Sequence, residues 1–171
     1  MWSRRFITLL LGCLVGLFDV TISPWLPAQA TAIRLSLPLV VSLSVFSRLE
    51  RATTVALVAG ILLDIFSPSV SFVSIRYVLV ALSLFSLSQT VFTNRSLVGI
   101  QTMGLGALLA DRLLVFLFET VARLIGRDYL GEVRAPLLAE ALWMLLLLSL
   151  VFLLMASFTR RFLPPLSRPS V

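Results

Sequence analysis

The sequence predicts an all-α polytopic membrane protein, a compact bundle of six transmembrane helices with both termini cytoplasmic. Three observations predict it. First, 59% of the 171 residues are hydrophobic and only 13% are charged, against roughly 25% charged in a soluble domain. Such a chain cannot cover a water-facing surface with polar groups. Second, the apolar residues fall into six runs with short polar breaks. Third, the arginines sort by side.

The runs cover about 6–23, 33–47, 52–66, 70–92, 97–118 and 136–158. A helix needs about 20 residues to cross about 30 Å of hydrocarbon. The last three runs meet that length. The second and third are shorter and must thin the bilayer or extend beyond their apolar cores. Pro38 is expected to kink or interrupt the second. A hairpin entering and leaving on one side stays open for that pair. The breaks are Pro24 and Pro27, Arg48-Leu49-Glu50-Arg51, Ser67-Pro68-Ser69, Thr93-Asn94-Arg95, and a long loop over 119–135. Residues 1–159 form one transmembrane domain, and 160–171 an unstructured, cytoplasmic Arg/Pro tail. No internal repeat is evident.

Orientation follows from arginine placement, because short cytoplasmic loops collect Lys and Arg. With the N-terminus inside, Arg4, Arg5, Arg48, Arg51, Arg95, Arg160, Arg161 and Arg168 fall inside, and only Arg123, Arg127 and Arg134 outside. The loops after the first and third spans hold no Arg, as outside loops should. Arg4-Arg5, an apolar stretch and Ala28-Gln29-Ala30 resemble a secretory signal, and Leu10-Leu11-Gly12-Cys13 a lipobox. Asp19 and two prolines before the first site, and too short an apolar stretch before Cys13, weigh against both.

Composition excludes several functions. The basic residues are all Arg and punctuate apolar runs instead of forming a solvated face, so no nucleic acid is expected. With no His and one Cys, zinc, haem and iron–sulfur ligand sets are missing, and no cofactor or metal is expected. No Ser–His–Asp set, Gly-x-Gly-Asp aspartyl motif or phosphate-binding glycine loop occurs, so the chain reads as a non-enzyme.

The ionisable residues carry the sharpest signal. With this orientation Asp19, Arg34, Asp64, Arg76, Asp111, Arg112, Glu119 and Glu140 all fall in outer halves or at outer ends. Asp19, Arg34 and Glu119 read as headgroup-level residues. Asp111 and Arg112 lie roughly 20 Å along their helix, where a charge costs several kcal/mol unless paired or hydrated. Asp64, Arg76, Asp111, Arg112 and Glu140 are therefore expected to form an intramembrane polar network. Its pairs would be Arg112 with Asp64 or Glu140, and Arg76 with Asp111 or Asp64. Such a cluster either binds a small ligand from outside or fixes helix register and holds a partner's helix. Gly12-x-x-x-Gly16, Ala56-x-x-x-Gly60 and Gly106-x-x-x-Ala110 allow close helix packing. Ser71, Ser74, Ser83, Ser86 and Gln89 suggest interhelical hydrogen bonds in the fourth span or, alternatively, a pore lining. Trp2, Trp25 and Trp143 read as interface anchors.

Three stretches in the centre of the chain carry a family resemblance: Ser47-Arg48-Leu49-Glu50-Arg51, then 59–67 (Ala-Gly-Ile-Leu-Leu-Asp-Ile-Phe-Ser), then Val73-Ser74-Ile75-Arg76. They resemble the rod-shape-determining MreD family over about 38–82. The remainder agrees only in hydropathy and span count. Ser-Pro-Ser-Val-Ser stands where the family has a Gly-rich turn, and the last outer loop is long. The resemblance implies a non-enzymatic component of the bacterial cell-elongation machinery in the inner membrane. It would scaffold an MreC-like protein and peptidoglycan synthases, with no small-molecule ligand. It carries over Gly60, Asp64 and Arg76 as a polar pair shaping the outer half of the bundle. The MreD family also resembles in fold the substrate-binding subunits of ECF vitamin transporters, which is the alternative function. A channel or antiporter is a third class that nothing specific favours.

Overall fold

A computed structural model describes residues 2–22, 34–66, 72–90, 96–125 and 137–162. These form six α-helices and no strand: α1 (Trp2–Thr21), α2 (Ser36–Phe46), α3 (Leu49–Phe66), α4 (Val73–Thr90), α5 (Leu97–Leu124) and α6 (Leu137–Phe162). The helix order follows the apolar runs, with the ends displaced. α5 continues through Glu119 and Arg123, which the sequence reading gave to a loop. α6 continues through Arg160 and Arg161, which it gave to the tail. Trp25 and Ser71, and the remainder of the long loop and tail, lie outside the described residues.

α2 departs most from expectation. It has 11 residues, about 16 Å at about 1.5 Å per residue. Pro38 sits in its first turn, where a missing N–H removes no helical bond. The predicted kink is therefore absent: the helix starts so late that Pro38 falls where proline is tolerated. α2 is apolar all round and packs against every other helix. Val40 and Val41 are fully buried and Leu37 nearly so. A helix without a polar face belongs inside, and this one forms the centre.

The remaining helices ring α2 in the order α1, α3, α4, α5, α6. α1 and α3 run parallel, because a Cβ on Gly12 meets Val55 and Val58, and one on Gly16 meets Ala59 and Leu62. α5 and α6 run antiparallel. Gln101 Nε2 donates to Ser149 Oγ at 2.9 Å, Gly104 lies against Leu148 and Met144, and Arg112 reaches Glu140. Gly60 lies directly against the Ser74 backbone, where a Cβ would fall 2.7 Å from the amide nitrogen. Only glycine permits that approach of α3 to α4.

Gly106 needs correcting as a packing residue. A Cβ there meets nothing within 4 Å. The small residue at the α5–α6 contact is Gly104, two positions earlier and about 200° around the helix. The polar line along α4 also needs correcting. Ser83, Ser86 and Gln89 are exposed, and Ser83 returns its hydroxyl to the Leu79 carbonyl of its own helix.

By length and composition one helix, over Leu137–Leu154, is long and apolar enough to cross a membrane, while Ser36–Phe46 and Val73–Gln89 are shorter apolar helices.

Candidate functional site

The buried and half-buried ionisable residues gather at one end of the bundle. The C-terminal ends of α1 and α3 meet the N-terminal ends of α2, α4 and α6 there, together with the second half of α5. The charge pattern selects its own partners across helices.

On α4, Arg76 is 1% exposed, and its Nε and Nη2 donate to Asp111 of α5 at 3.0 and 3.3 Å. This two-armed geometry is the strong form of a guanidinium–carboxylate bond. One helical step along α5, Arg112 turns the other way and pairs with Glu140 in the first turn of α6. Adjacent residues on a helix point about 100° apart, so Asp111 and Arg112 serve different neighbours. Of the alternatives the sequence left open, Arg76 takes Asp111 and Arg112 takes Glu140.

Asp64 joins neither arginine. Its carboxylate accepts from the Val73 and Ser74 amides at 2.7 and 3.1 Å and from Ser74 Oγ at 2.6 Å. It thus supplies the cap that the first turn of α4 needs, from the preceding helix instead of from its own. Phe72, just before this turn, has φ 62°, a left-handed conformation costly for a bulky residue. Its ring stacks on Phe118 of α5, centroids 5.6 Å apart.

The same device occurs at α2. Asp19, near the end of α1, accepts from the Leu35 and Ser36 amides at 2.8 and 3.0 Å. Asp19 is 3% exposed. The sequence reading set it, with Arg34, at headgroup level. It is instead buried, and it fastens α1 to α2. Ser36 Oγ donates to Tyr77 Oη at 3.0 Å, and the Arg34 guanidinium lies against the same Tyr77 hydroxyl, near Asp19 and Asp111. Ser36 and Tyr77 were missed, and Asp19 was named without its capping role, because helix-end position does not reveal which way a side chain turns. The available signal was Asp19 in an apolar run with no arginine nearby in sequence, the same context as Asp64.

Asp19 and Asp64 each face a helix N-terminus, which carries about half a positive charge. With Arg34, Arg76 and Arg112 opposite Asp111 and Glu140, this end is close to neutral. One donor stands out: among the described residues, Arg76 Nη1 is buried without a hydrogen-bond partner. The arrangement is suited to locking all six helices in register. Among the described residues no group of three or more His, Cys, Asp or Glu is placed to hold a metal. Comparison with protein-family models, with curated proteins and with solved structures finds no match for the chain.

Proposed function

We propose that this chain is a six-span protein of the bacterial inner membrane, N-in and C-in, and a non-enzymatic scaffold of the cell-elongation machinery. It would hold an MreC-like protein and peptidoglycan synthases. The observation that carries the membrane part is the apolar outer surface, which sits over an interior that holds Arg76, Asp111 and Asp19 as well as the hydrophobic core. The outward faces of the helices carry Phe6, Leu14, Ile65, Leu113, Phe116, Leu138 and Leu142, each more than half exposed. Soluble proteins rarely expose contiguous apolar surface on this scale. Lipid is the solvent that suits such a surface. Hydroxyls are satisfied within their own helices, as for Ser42 to Pro38, Ser44 to Val40 and Thr120 to Phe116, which suits a place without water.

The scaffold part rests on the MreD resemblance. Two of its residues act at one contact, Gly60 against Ser74 and Asp64 capping α4, while Arg76 pairs with Asp111 of α5 and not with Asp64, so the polar pair the resemblance implies is not formed. A vitamin-binding subunit needs an open outer pocket. Among the described residues α2 fills the centre, and Asp19, Asp64, Arg76, Asp111, Arg112 and Glu140 each bond within the bundle, Arg76 Nη1 apart.

The test is co-purification and complementation. Tagged chain should retain an MreC-like protein after detergent extraction and restore rod shape to cells depleted of their own MreD protein. Reporter fusions should place both ends of the chain in the cytoplasm. Tight vitamin binding at nanomolar concentration, with no MreC-like protein retained, would overturn the scaffold reading.

A further inference from the structure

α1 and α3 make the most extensive helix contact of the fold, and they run parallel. Their N-terminal ends therefore lie side by side, at the end of the bundle away from the buried pairs. Gly12 of α1 meets Val55 and Val58 of α3, and Gly16 meets Ala59 and Leu62. These residues mark the facing stripe on each helix. At about 3.6 residues per turn, a step of seven returns to the same face. Seven residues before Gly12 stands Arg5, and seven before Val55 and Val58 stand Arg48 and Arg51. The same step back along both helices thus sets Arg5 opposite Arg48 and Arg51.

All three arginines are exposed, and among the described residues none of their guanidinium groups has an ion-pair partner. At the other end of the bundle Arg76 and Arg112 each hold a carboxylate. Glu50 is exposed beside Arg51, but neighbours on a helix point about 100° apart, and one acid leaves three arginines in excess. α3 begins at Leu49, so the partial positive charge of its first turn adds to theirs. Like charges on facing stripes repel, and an anion between them turns that repulsion into attraction. Just beyond the arginines the outward residues are apolar: Phe6, Leu9 and Leu10 on α1 and Leu57 on α3 are exposed. Along the helix axis the surface passes from cationic to oily, the order of headgroup and chain in an anionic lipid.

We propose that the N-terminal end of the α1–α3 pair is a binding site for the phosphate group of an anionic phospholipid, held between Arg5 and Arg51 with Arg48 beside them. Guanidinium groups suit phosphate because their paired N–H donors match two of its oxygens. Free phosphate would use the arginines alone, whereas a lipid also covers the apolar surface next to them. The proposal rests on the membrane reading, for which it names a lipid class and a position, and it does not depend on the scaffold role.

Lipid competition tests it. Flotation of the full chain with phosphatidylcholine vesicles is checked first; a chain that stays out of the vesicles sinks the membrane reading and the site with it, whereas a chain that floats but shows no lipid preference sinks the site alone. The chain is then purified in dodecyl maltoside, and dioleoylphosphatidylglycerol, dioleoylphosphatidylcholine or inorganic phosphate is added. Native mass spectrometry counts the lipid retained, and thermal unfolding reads the protection. Phosphatidylglycerol should bind about tenfold more tightly than phosphatidylcholine, a difference of about 1.4 kcal/mol, and should raise Tm. Arg5→Gln with Arg51→Gln, both at exposed positions, should bring phosphatidylglycerol down to the phosphatidylcholine level. In detergent alone this double variant should melt no lower than the parent, because it removes a repulsion; a clear fall in Tm there would assign the arginines to protein contacts and overturn the proposal. Arg123→Gln, exposed near the C-terminal end of α5, should leave the preference intact, and an equal loss from it would reduce the effect to net charge and overturn the site. Equal retention of the two lipids would overturn it in favour of a merely solvated face. Protection by inorganic phosphate as strong as that by phosphatidylglycerol would overturn it in favour of a free-phosphate site.

Discussion

Changing Asp111 to Asn keeps the side chain's shape and removes its charge, leaving the Arg76 guanidinium cationic in the interior. Two arms of Arg76 lose their anionic acceptor. The side chains of the pair are 1% and 11% exposed, so solvent cannot take over. Removing one partner of a buried pair costs about 3–5 kcal/mol, much of it the uncompensated charge left behind. For a chain of this size about 2–4 °C of midpoint accompanies each kcal/mol, so Tm should fall by roughly 6–20 °C. Glu140→Gln supplies an internal comparison. The Arg112–Glu140 side chains are 18% and 17% exposed, and losing a charge-assisted bond that water can partly replace costs about 1–2 kcal/mol. Thermal unfolding of the purified protein, followed by tryptophan fluorescence, ranks the two. The double variant Arg76→Gln with Asp111→Asn should recover most of the loss, because no lone charge remains. A single Asp111→Asn variant that melts with the parent, or a double variant no better than the single, would refute the buried-pair reasoning.

Gly60→Ala should destabilise by about 1–3 kcal/mol or more, since its Cβ meets Ser74 backbone that cannot turn aside. Gly106→Ala, facing open space, should be neutral or stabilise by about 0.5–1 kcal/mol; the reverse order in Tm would show that the faces of α3 and α5 are misassigned. Asp19→Ala and Asp64→Ala each remove a cap worth about 0.5–2 kcal/mol. Hydrogen exchange should accelerate at the start of α2 for the first and at the start of α4 for the second, and a uniform acceleration in both would contradict separate caps.

The helices were legible because the apolar runs are long and the breaks contain proline or arginine. That the charges within the apolar runs share one end was legible from span direction alone, with no knowledge of packing. Which carboxylate meets which arginine was narrower but not unique: at the level of helix position Asp64 and Asp111 are equally available to Arg76. The choice depends on how far α3 and α4 approach, which Gly60 decides. Gly106 was misread because small-x-x-x-small spacing states only that a face is smooth; whether another helix lies against that face depends on residues far away in sequence. Pro38 was misread because helix start and helix kink give the same signal until the first turn is located. Asp19 lay at a run's end, where a solvated and a capping carboxylate look alike in sequence.

The short central helix has a consequence for how the protein is made. On the proposed membrane reading, a segment of 11 residues reaches about half the thickness of the oily layer, and it has no polar side to lay along the surface. It cannot settle as it leaves the ribosome, since the helices that will enclose it are mostly still unsynthesised. α2 must wait, tethered by Asp19 to the helix before it, until α3 to α6 arrive. Cutting the chain between α2 and α3 should therefore yield two fragments that cannot be reassembled, whereas a cut between α5 and α6 separates pieces that could each persist and find one another.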